Sequence, residues 1–527
     1  MALGRLDGQA GFDDAGLLLG DQLRAGSVYR LLAGQGHELF GGDYFADLFK
    51  VSRLGRPTVP ARTVATVMLL QAHEGLSDGE AVDRLAFDLR WKAAAGLAVG
   101  SGSFHPTVLV GMRNRLRASD RPRRLFEDLT ATARAAGMLT GRRRVFDSTP
   151  VYDAVATQDT VTQVRAAVRK LLMAADRDAP AVAGAVRAML ARDDEYATVG
   201  KPPCDWDDPA ARETLVDALV RDAHAALAAL EGHTLLGPVG EAAELLALVA
   251  GQDVEQGDDG VFRIARKVAR DRVISTVDPQ ARHGHKSRAR TFDGYKAHVG
   301  IDPDDELITA VTVTPANTPD RDAVDELLDE PGAAPADGAA DAGGRQLFGD
   351  SAYADGATLE KLTDAGHDVH TKVPPVRNSN GYSKDAFRID PAAGTVTCPA
   401  QHTVAISPHR RGGQARFGDL CAGCPLRAAC TKSRTGRVIA IHPHEATLQR
   451  AKAAQRDPGR QAVYRQARPI VERKISHFAR RAWGGRNARC RGQARILTDV
   501  LTRAAAVNLA RLAALGLHRN HTGWAIA

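Results

Sequence analysis

Cysteines are few and long apolar runs are missing in this chain of 527 residues. Six cysteines are too few to act as a disulfide scaffold at this length, so a reducing cytoplasm is the expected environment. No apolar run reaches the length that crosses a bilayer. The first residues lack the basic segment and apolar run of a signal peptide. These absences argue against a membrane-spanning protein and against a secreted, disulfide-rich one.

Positive charge is present in modest excess and is concentrated near the carboxyl end. The formal net charge is +7 and the isoelectric point is about 9.1. Between Arg465 and Arg495 there are ten basic residues and a single acid, Glu472. A lone carboxylate among many cations is typical of a metal ligand on a nucleic-acid-binding surface. The alternative is a surface helix in which Glu472 pairs with neighbouring arginines.

Two aspartates upstream follow short apolar runs. Asp147 lies in VFDSTP, and Asp350 lies in LFGDSAY. Both runs predict short buried strands that end at the acid, and ligands of open α/β sheets gather outside such strand ends. With Glu472, the two aspartates would form an all-oxygen site suited to Mg²⁺ or Mn²⁺. The alternative for each aspartate is a turn or helix-capping role.

The first 140 residues predict a helical domain. Apolar residues recur at helical spacing from 62 to 73, and Ser77 and Glu80 have the spacing of a capping box. Residues 108–117 predict another helix, whose basic residues are Arg113, Arg115 and Arg117. A helix–turn–helix arrangement with a basic end suits DNA binding. The alternative is an ordinary helical bundle with a solvated arginine face.

Residues 141–153 and 266–378 predict an α/β fold, a mixed sheet flanked by helices. A helical, acidic insertion is expected at 154–265, and a flexible loop at 331–344. Alternating residues at 294–301 and 307–314 predict a hairpin. Its first strand carries Lys296 and His298, which are candidates for contacts with phosphates or with the metal ligands. The alternative is that both are ordinary strand residues.

Residues 379–445 contain four of the six cysteines. Cys421, Cys424 and Cys430 lie in CAGCPLRAAC, and Cys398 lies in TCPAQH. Four thiolates can bind one structural Zn²⁺ tetrahedrally, and His402 can replace one of them. The alternative is four reduced thiols without a metal.

These motifs together resemble those of bacterial insertion-sequence transposases of the DDE class. The segment 55–97 is similar to the family's amino-terminal domain, and 379–445 to a cysteine cluster of related elements. FDSTPV and LFGDSAY are similar to the two aspartate motifs, and DGYKAHVGID to the strand between them. Tyr464, Arg468 and Glu472 resemble the family's Tyr-Arg-Glu signature.

The resemblance implies a ribonuclease-H-like core in which Asp147, Asp350 and Glu472 hold two Mg²⁺ or Mn²⁺ ions. Residues 446–527 would form the catalytic-glutamate helix and the carboxy-terminal helices. Such a protein binds the terminal inverted repeats of its element, cleaves the ends and joins the 3′-OH to target DNA. It would act on double-stranded DNA as a homodimer or larger assembly, in the cytoplasm at the nucleoid. The predicted DNA-contacting residues near the acids are Arg468, Arg473, Lys474, Arg480, Arg486, Arg489 and Arg491.

The sequence departs from the family pattern at two positions. Pro469 interrupts the signature, and since proline fits the first turn of a helix, the predicted helix begins there. Tyr464 and Arg468 would then not share a helix face with Glu472. The family's lysine after the glutamate is replaced by Ala479, so Arg480 or Arg481 would make that phosphate contact with different geometry.

Two other functions remain compatible with these residues. One is a non-catalytic DNA-binding protein derived from a transposase, against which the intact triad argues. The other is a metal-dependent nuclease that cuts DNA without joining it.

Overall fold

The structure is a computed structural model that describes residues 3–4, 11–50, 58–153, 155–267, 269–287, 289–330, 344–376, 378, 381–480 and 485–527. The loop predicted at 331–344 lies outside the described residues, except for its last residue. None of the described helices combines the length and the apolar content that a bilayer crossing requires.

In the described part of this region seven α-helices precede the first strand, and the sequence predicted a helical region here. They are α1 Ala15–Leu19, α2 Val28–Leu39, α3 Ala61–Glu74, α4 Asp78–Phe87, α5 Leu89–Ala95, α6 Thr107–Ala118 and α7 Arg124–Ala135. Eleven of the fourteen residues of α3 are buried. The predicted capping box is confirmed: the Ser77 hydroxyl accepts from the Glu80 N–H, and the Glu80 carboxylate accepts from the Ser77 N–H.

The insertion after the first strand, β1 Arg143–Tyr152, is helical, as predicted. It consists of α8 Thr160–Asp178, α9 Pro180–Met189, α10 Pro209–Ala228, α11 Gly237–Gln252 and a small hairpin of β2 Val254–Gln256 and β3 Phe262–Ile264. Its apolar side chains form a core of their own, separate from that of the sheet. Nineteen acidic and ten basic residues lie in 154–265, so this part is acidic in an otherwise basic chain.

A six-stranded mixed sheet is the centre of the fold, and the predicted α/β class is confirmed. After β1 it contains β4 Arg282–Ser287, β5 Arg290–Asp302, β6 Leu307–Pro315, β7 Gln346–Phe348 and β8 Asp368–His370. The strand order is β4-β5-β1-β7-β8, with β6 also paired to β5. β5 is antiparallel to β1, β4 and β6, while β1, β7 and β8 are parallel. Two helices, α12 Val324–Leu328 and α13 Gly356–Asp364, connect the later strands.

The prediction that the first strand ends at Asp147 is wrong. β1 continues to Tyr152, and Asp147 is paired with Val299 of β5. Ser-Thr-Pro has turn chemistry, but the long antiparallel pairing with β5 overrides that local preference. Pro150 is tolerated because the pairing of β1 with β7 ends at Val145, so the proline lies on a one-sided part of the strand.

The cysteine-containing region forms a second sheet with its own core. Five antiparallel strands, in the order β13-β12-β11-β10-β9, accompany a short helix. These elements are β9 Arg388–Asp390, β10 Thr395–Thr397, β11 Thr403–His409, β12 Gly412–Arg416, α14 Arg427–Cys430 and β13 Val438–Ile441.

Three helices and a small hairpin complete the chain. They are α15 Glu445–Ala454, α16 Pro458–Phe478, α17 Gln493–Ala514, β14 His518–Asn520 and β15 Gly523–Ala525. α17 is largely buried and packs against α3, α7 and β6, so the first helices and the mixed sheet share one apolar core. The buried Asn508 of α17 extends β6: its amide nitrogen donates to the Ile308 carbonyl, and its amide oxygen accepts from the Ile308 N–H, both at 2.8 Å.

Candidate active site

The structure brings the three predicted acids to one open cleft of about 1380 Å³. The parallel pairing of β1 with β7 ends at Val145 and Phe348. Asp147 and Asp350 each lie two residues beyond these last paired positions, where the two strands separate. Glu472 reaches the same cleft from α16. The cleft is therefore built at the carboxyl end of paired parallel strands, the usual ligand position in such sheets.

Asp350 lines the cleft and also caps a turn, so the two roles that the sequence left open for it occur together. The residue lies just after β7, and its carboxylate accepts the Ala352 N–H at 2.9 Å, which caps the 3₁₀ turn Ser351–Tyr353. This bond restrains the carboxylate where it lines the cleft. The capping role therefore does not remove Asp350 from the site.

The prediction that a helix begins at Pro469 is wrong, because α16 begins at Pro458 and continues through Pro469 to Phe478. Proline removes one N–H from a helix and crowds the carbonyl four residues earlier. Here Pro469 and Arg465 are both exposed, so water can solvate the freed carbonyl. Tyr464, Arg468 and Glu472 are thus spaced by four residues on one face of a continuous helix.

Side chains of α16 hold the backbone directly before each aspartate. The Tyr464 hydroxyl donates to the Gly349 carbonyl at 3.1 Å, next to Asp350. The Arg468 guanidinium donates to the Phe146 carbonyl at 3.0 Å, next to Asp147. These two bonds fix the distance from α16 to β1 and to the residue that follows β7.

Arg468 also pairs with two of the three acids. Its Nη2 donates to Asp147 Oδ2 at 3.0 Å and lies 3.7 Å from Glu472 Oε1. The side chains of Arg468 and Asp147 are only 13% and 15% exposed, whereas that of Glu472 is 66% exposed. Arg468 was predicted to contact DNA; the structure places it inside the acid cluster, where it neutralises carboxylates.

The acids have the chemistry that a hard divalent cation requires. Burial raises the pKa of Asp147, and the nearby charge of Asp350 raises it further, while Arg468 acts in the opposite direction. Carboxylate oxygens crowded in this way suit Mg²⁺ or Mn²⁺. Within the described ranges, no group of three or more His, Cys, Asp or Glu side chains already has the arrangement of a formed metal site. The three carboxylates have the oxygen chemistry of Mg²⁺ ligands.

Basic side chains surround the acids along the same cleft. Most of them could not be predicted from the sequence, because they come from segments far apart in the chain. They are Arg270, His283, His285, Lys286, Lys296, Arg321 and Arg486. Tyr152 and Phe292 line the cleft as an edge-to-face aromatic pair whose centroids are 6.0 Å apart. A cationic, partly aromatic cleft with acids at its base suits a polyanionic ligand.

The predictions for the hairpin residues have different outcomes. Lys296 lines the cleft, but its Nζ donates to Asp320 Oδ1 at 2.7 Å and to the Thr318 carbonyl at 2.8 Å. His298 is 0% exposed, and its Nε2 contacts the Thr314 hydroxyl at 2.8 Å. The prediction that His298 contacts phosphate is therefore corrected, because β5, β6 and their covering elements enclose its ring.

The basic residues of α6 make contacts within the amino-terminal helices. Arg113 donates to Asp78 at 2.7 Å and to Gln71 at 2.6 Å. The Arg115 guanidinium lies 5.0 Å from the centroid of the Phe49 ring, and Arg117 donates to Asn114. Arg113 thus has the intramolecular role expected of an ordinary helical bundle.

Of the DNA contacts predicted after Glu472, some side chains have partners within the protein, and others are exposed or line the cleft. Arg473 and Lys474 both pair with Glu306, and Lys474 is buried. Arg489 donates to the Gly75 and Leu76 carbonyls at 2.9 Å each. Arg480 and Arg491 are exposed, and Arg486 lines the cleft with its Nε bonded to the Thr149 hydroxyl at 3.0 Å. Lys474 is therefore corrected from a DNA contact to a buried ion pair.

The four clustered cysteines line one small enclosed cavity of about 20 Å³. Cys398, Cys421, Cys424 and Cys430 all contribute to it, together with His402. All are free thiols, and burial raises the pKa of Cys430. The four predicted ligands and His402 thus lie in one neighbourhood, although the described residues are not arranged as a metal site. The remaining cysteines, Cys204 and Cys490, lie elsewhere.

Comparison with known proteins gives two family matches. A model of a transposase DDE domain matches residues 397–513, and a model of a transposase domain (DUF772) matches residues 36–115. The first match includes Glu472 and the cysteine cluster, whereas Asp147 and Asp350 lie outside both. No curated protein and no solved structure gives a significant match to the chain. The resemblance to insertion-sequence DDE transposases is confirmed by these two models.

Proposed function

From these two transposase segments, which imply a DNA substrate, we propose that the chain is a DNA transposase with Asp147, Asp350 and Glu472 as its catalytic acids. It binds the terminal inverted repeats of its element, cleaves the ends and joins the 3′-OH to target DNA. The observation that carries the proposal is the convergence of three acids, distant in sequence, in one cleft with a basic rim. A substrate of two DNA segments requires a homodimer or larger assembly on paired ends.

The mixed sheet supports a ribonuclease-H-like core as part of this proposal. Three antiparallel strands, β6, β5 and β1, are followed across the sheet by two parallel ones, β7 and β8. Asp147 lies within β1 just beyond its pairing with β7, Asp350 follows β7, and a long helix carries Glu472. The acidic helical insertion and the cysteine-containing sheet then interrupt that core at two connections.

The chain's own residues supply binding, orientation and charge balance. The basic rim neutralises phosphates and leads the DNA backbone towards the acids. Two divalent ions, when bound by the three carboxylates, supply Lewis-acid activation of water and charge neutralisation at the scissile phosphate. Arg468 balances Asp147 and Glu472 and keeps both near Asp350. The bonds of α16 to the Phe146 and Gly349 carbonyls hold the acids at a fixed separation.

A strand-transfer assay distinguishes the proposed activity from the two alternatives. The substrate is a duplex bearing an inverted repeat found beside the gene, incubated with Mg²⁺ and a target plasmid. Joined products support a transposase. Cut ends without joining indicate a nuclease, and binding without cutting indicates a non-catalytic DNA-binding protein.

The salt dependence of DNA binding tests the basic rim. Replacing Lys286, Arg321 and Arg486 together with alanine removes three cleft cations. Each lost phosphate contact should reduce the log–log salt slope by roughly 0.9, so the slope flattens by up to about three units. The triple variant Arg177→Ala, Arg187→Ala and Arg212→Ala removes equal charge from the acidic insertion and should keep the wild-type slope. Equal slopes for both variants would show that DNA lies elsewhere.

We propose further that the cysteine cluster binds one structural Zn²⁺. Protein purified without chelators should contain about one zinc per chain, because four thiolates around one point form a closed site. Cys421→Ser and Cys424→Ser should each lose the metal and destabilise the five-stranded sheet. Cys204→Ser and Cys490→Ser serve as controls and should retain it. Metal analysis that finds no zinc in wild-type protein would reject the site.

A further inference from the structure

A polar network lies beside the proposed catalytic acids and lines the same cleft. The side chain of Asp320 is 10% exposed and lines the cleft. Its Oδ2 accepts the Ser148 hydroxyl at 2.6 Å, and its Oδ1 accepts Lys296 Nζ at 2.7 Å. Both carboxylate oxygens are therefore engaged by neighbours of the site. Asp320 begins the 3₁₀ turn Asp320–Ala323, so its backbone is also held.

The network connects Asp320 to Asp147 through a single residue. Ser148 follows Asp147 in β1, and its N–H donates to Asp147 Oδ1 at 2.8 Å. The Ser148 hydroxyl, in turn, donates to Asp320. A bond that fixes the Ser148 side chain thus restrains the peptide group that orients the Asp147 carboxylate.

Two buried polar atoms near Asp320 have no hydrogen-bond partner in the described part of the chain. They are His298 Nδ1 and the Tyr353 hydroxyl. Burial lowers the pKa of His298 to about 4, so its ring is neutral at pH 7. The pKa of Tyr353 is raised first by burial and then by the charges of Asp320, Asp147 and Asp350, which places this hydroxyl among the acids. Leaving a buried polar group without a hydrogen bond costs folding free energy, so such groups often indicate a functional role.

Lys296 is the cation that balances Asp320. Burial alone would raise the pKa of Asp320, but the neighbouring His298 and the hydrogen bonds from Lys296 and Ser148 together outweigh burial and lower it. Lys296 Nζ also donates to the Thr318 carbonyl, so one ammonium group holds both the carboxylate and the turn before it. Asp320 is therefore held as an anion close to two other carboxylates. An apolar pair would stabilise the fold at this place at lower electrostatic cost.

We propose that Asp320 is a positioning residue of the reaction, which orients Asp147 through Ser148 for metal binding. This inference rests on the proposed function, in which Asp147 holds a divalent ion. In this inference Asp320 acts through Ser148, because its two oxygens accept hydrogen bonds from Ser148 and Lys296. Partners of this kind, which orient a metal ligand, typically contribute about 10–100-fold to metal affinity or activity.

The test compares Asp320→Asn and Ser148→Ala with a control on the adjoining helix, Asp325→Asn. Asp325 pairs with the exposed Lys361, away from the cleft. Each of the first two variants should cleave DNA about 10–100-fold more slowly at saturating DNA, and should need more Mg²⁺ for half-maximal rate. The double variant should cleave at the same rate as the slower of the two single variants. Both substitutions break the same hydrogen bond between Ser148 and Asp320. DNA affinity and the melting temperature should remain close to those of the control.

A second readout is independent of turnover. Fe²⁺ bound in place of Mg²⁺ is oxidised to Fe³⁺ by added hydrogen peroxide, which is reduced to hydroxide and a hydroxyl radical, and the radical cuts the backbone near the site. Wild-type protein and Asp325→Asn should be cut near Asp147, and Asp147→Ala should not. Asp320→Asn and Ser148→Ala should need more Fe²⁺ for the same cut. If wild-type protein is cut but does not transfer strands, the proposed function fails while this comparison still decides the role of Asp320.

Three results would overturn the inference. The first is an unchanged rate and an unchanged Fe²⁺ requirement in both variants. The second is a strictly additive double variant, because additivity means that Asp320 and Ser148 act separately. The third is a loss of rate that matches the unfolded fraction at the assay temperature, which would make Asp320 a purely structural residue. Should Asp320→Asn fail to fold, Ser148→Ala, a smaller change that breaks the same link, decides alone.

Discussion

Asp147→Asn is expected to abolish Mg²⁺-dependent DNA cleavage, with a loss of about three orders of magnitude or more. Removing a single neutral donor to a transition-state charge already costs about 10²–10³-fold. Here an entire anionic ligand is lost from a site of three. Asp350→Ala and Glu472→Ala should have similar effects. DNA affinity should change only a few-fold, because the basic rim is intact. Single-turnover cleavage and filter binding measure the two quantities.

The control for this series is Asp364→Asn, an exposed aspartate at the end of α13, remote in sequence from all three acids. It removes the same charge and should cleave like the wild type. Cleavage at the wild-type rate by a variant of any of the three acids would exclude that residue from the site. A uniform loss of DNA affinity in all three would indicate misfolding instead, which circular dichroism would detect.

Arg468→Ala is expected to give the largest loss of stability among substitutions at the cleft. The change leaves the carboxylate of Asp147 largely buried without its cation and frees the Phe146 carbonyl. Breaking a buried pair from one side typically costs about 3–5 kcal/mol. We expect the lower end, about 3 kcal/mol, because Asp350 and Glu472 remain partly solvated. Urea unfolding in the absence of divalent ions measures the change.

Mg²⁺ should recover part of that loss, because a cation between the carboxylates relieves the same repulsion that Arg468 relieves. The stabilisation by Mg²⁺ should therefore be larger in Arg468→Ala than in the wild type. Arg465→Ala, an exposed arginine one turn earlier on α16, is the matched control and should be neutral within about 0.5 kcal/mol. Equal effects of the two substitutions would show that the Arg468–Asp147 contact contributes nothing.

Local sequence signals were sufficient wherever one segment determines its own structure. The capping box at Ser77, the burial of α3 and the hairpin of β5 and β6 all follow from spacing within a few residues. The short apolar runs before Asp147 and Asp350 also predicted strands there, whereas β4 was not predicted. These signals predicted the α/β class without any contact between distant segments.

Long-range pairing decided the features that the sequence did not predict. β1 extends past Asp147 because a partner strand roughly 150 residues later, β5, aligns with it, and no local pattern contains that information. α16 passes through Pro469 because its exposed face tolerates the lost hydrogen bond. Asp320 resembles any other acid in an acidic stretch, and only the fold places it beside Ser148. The candidate acids were identifiable from motifs, but their supporting partners were not.

The position of α17 determines when the chain can begin to fold during its synthesis. The apolar face of α3 is completed by a helix that is made more than four hundred residues later. Until α17 leaves the ribosome, the first helices have no partner for that face, whereas the insertion, with its separate core, can fold earlier. Contacts so distant in sequence make folding slow and leave aggregation-prone intermediates with exposed apolar surface, which chaperones protect. We therefore expect that a chain without α17 leaves this shared core incomplete.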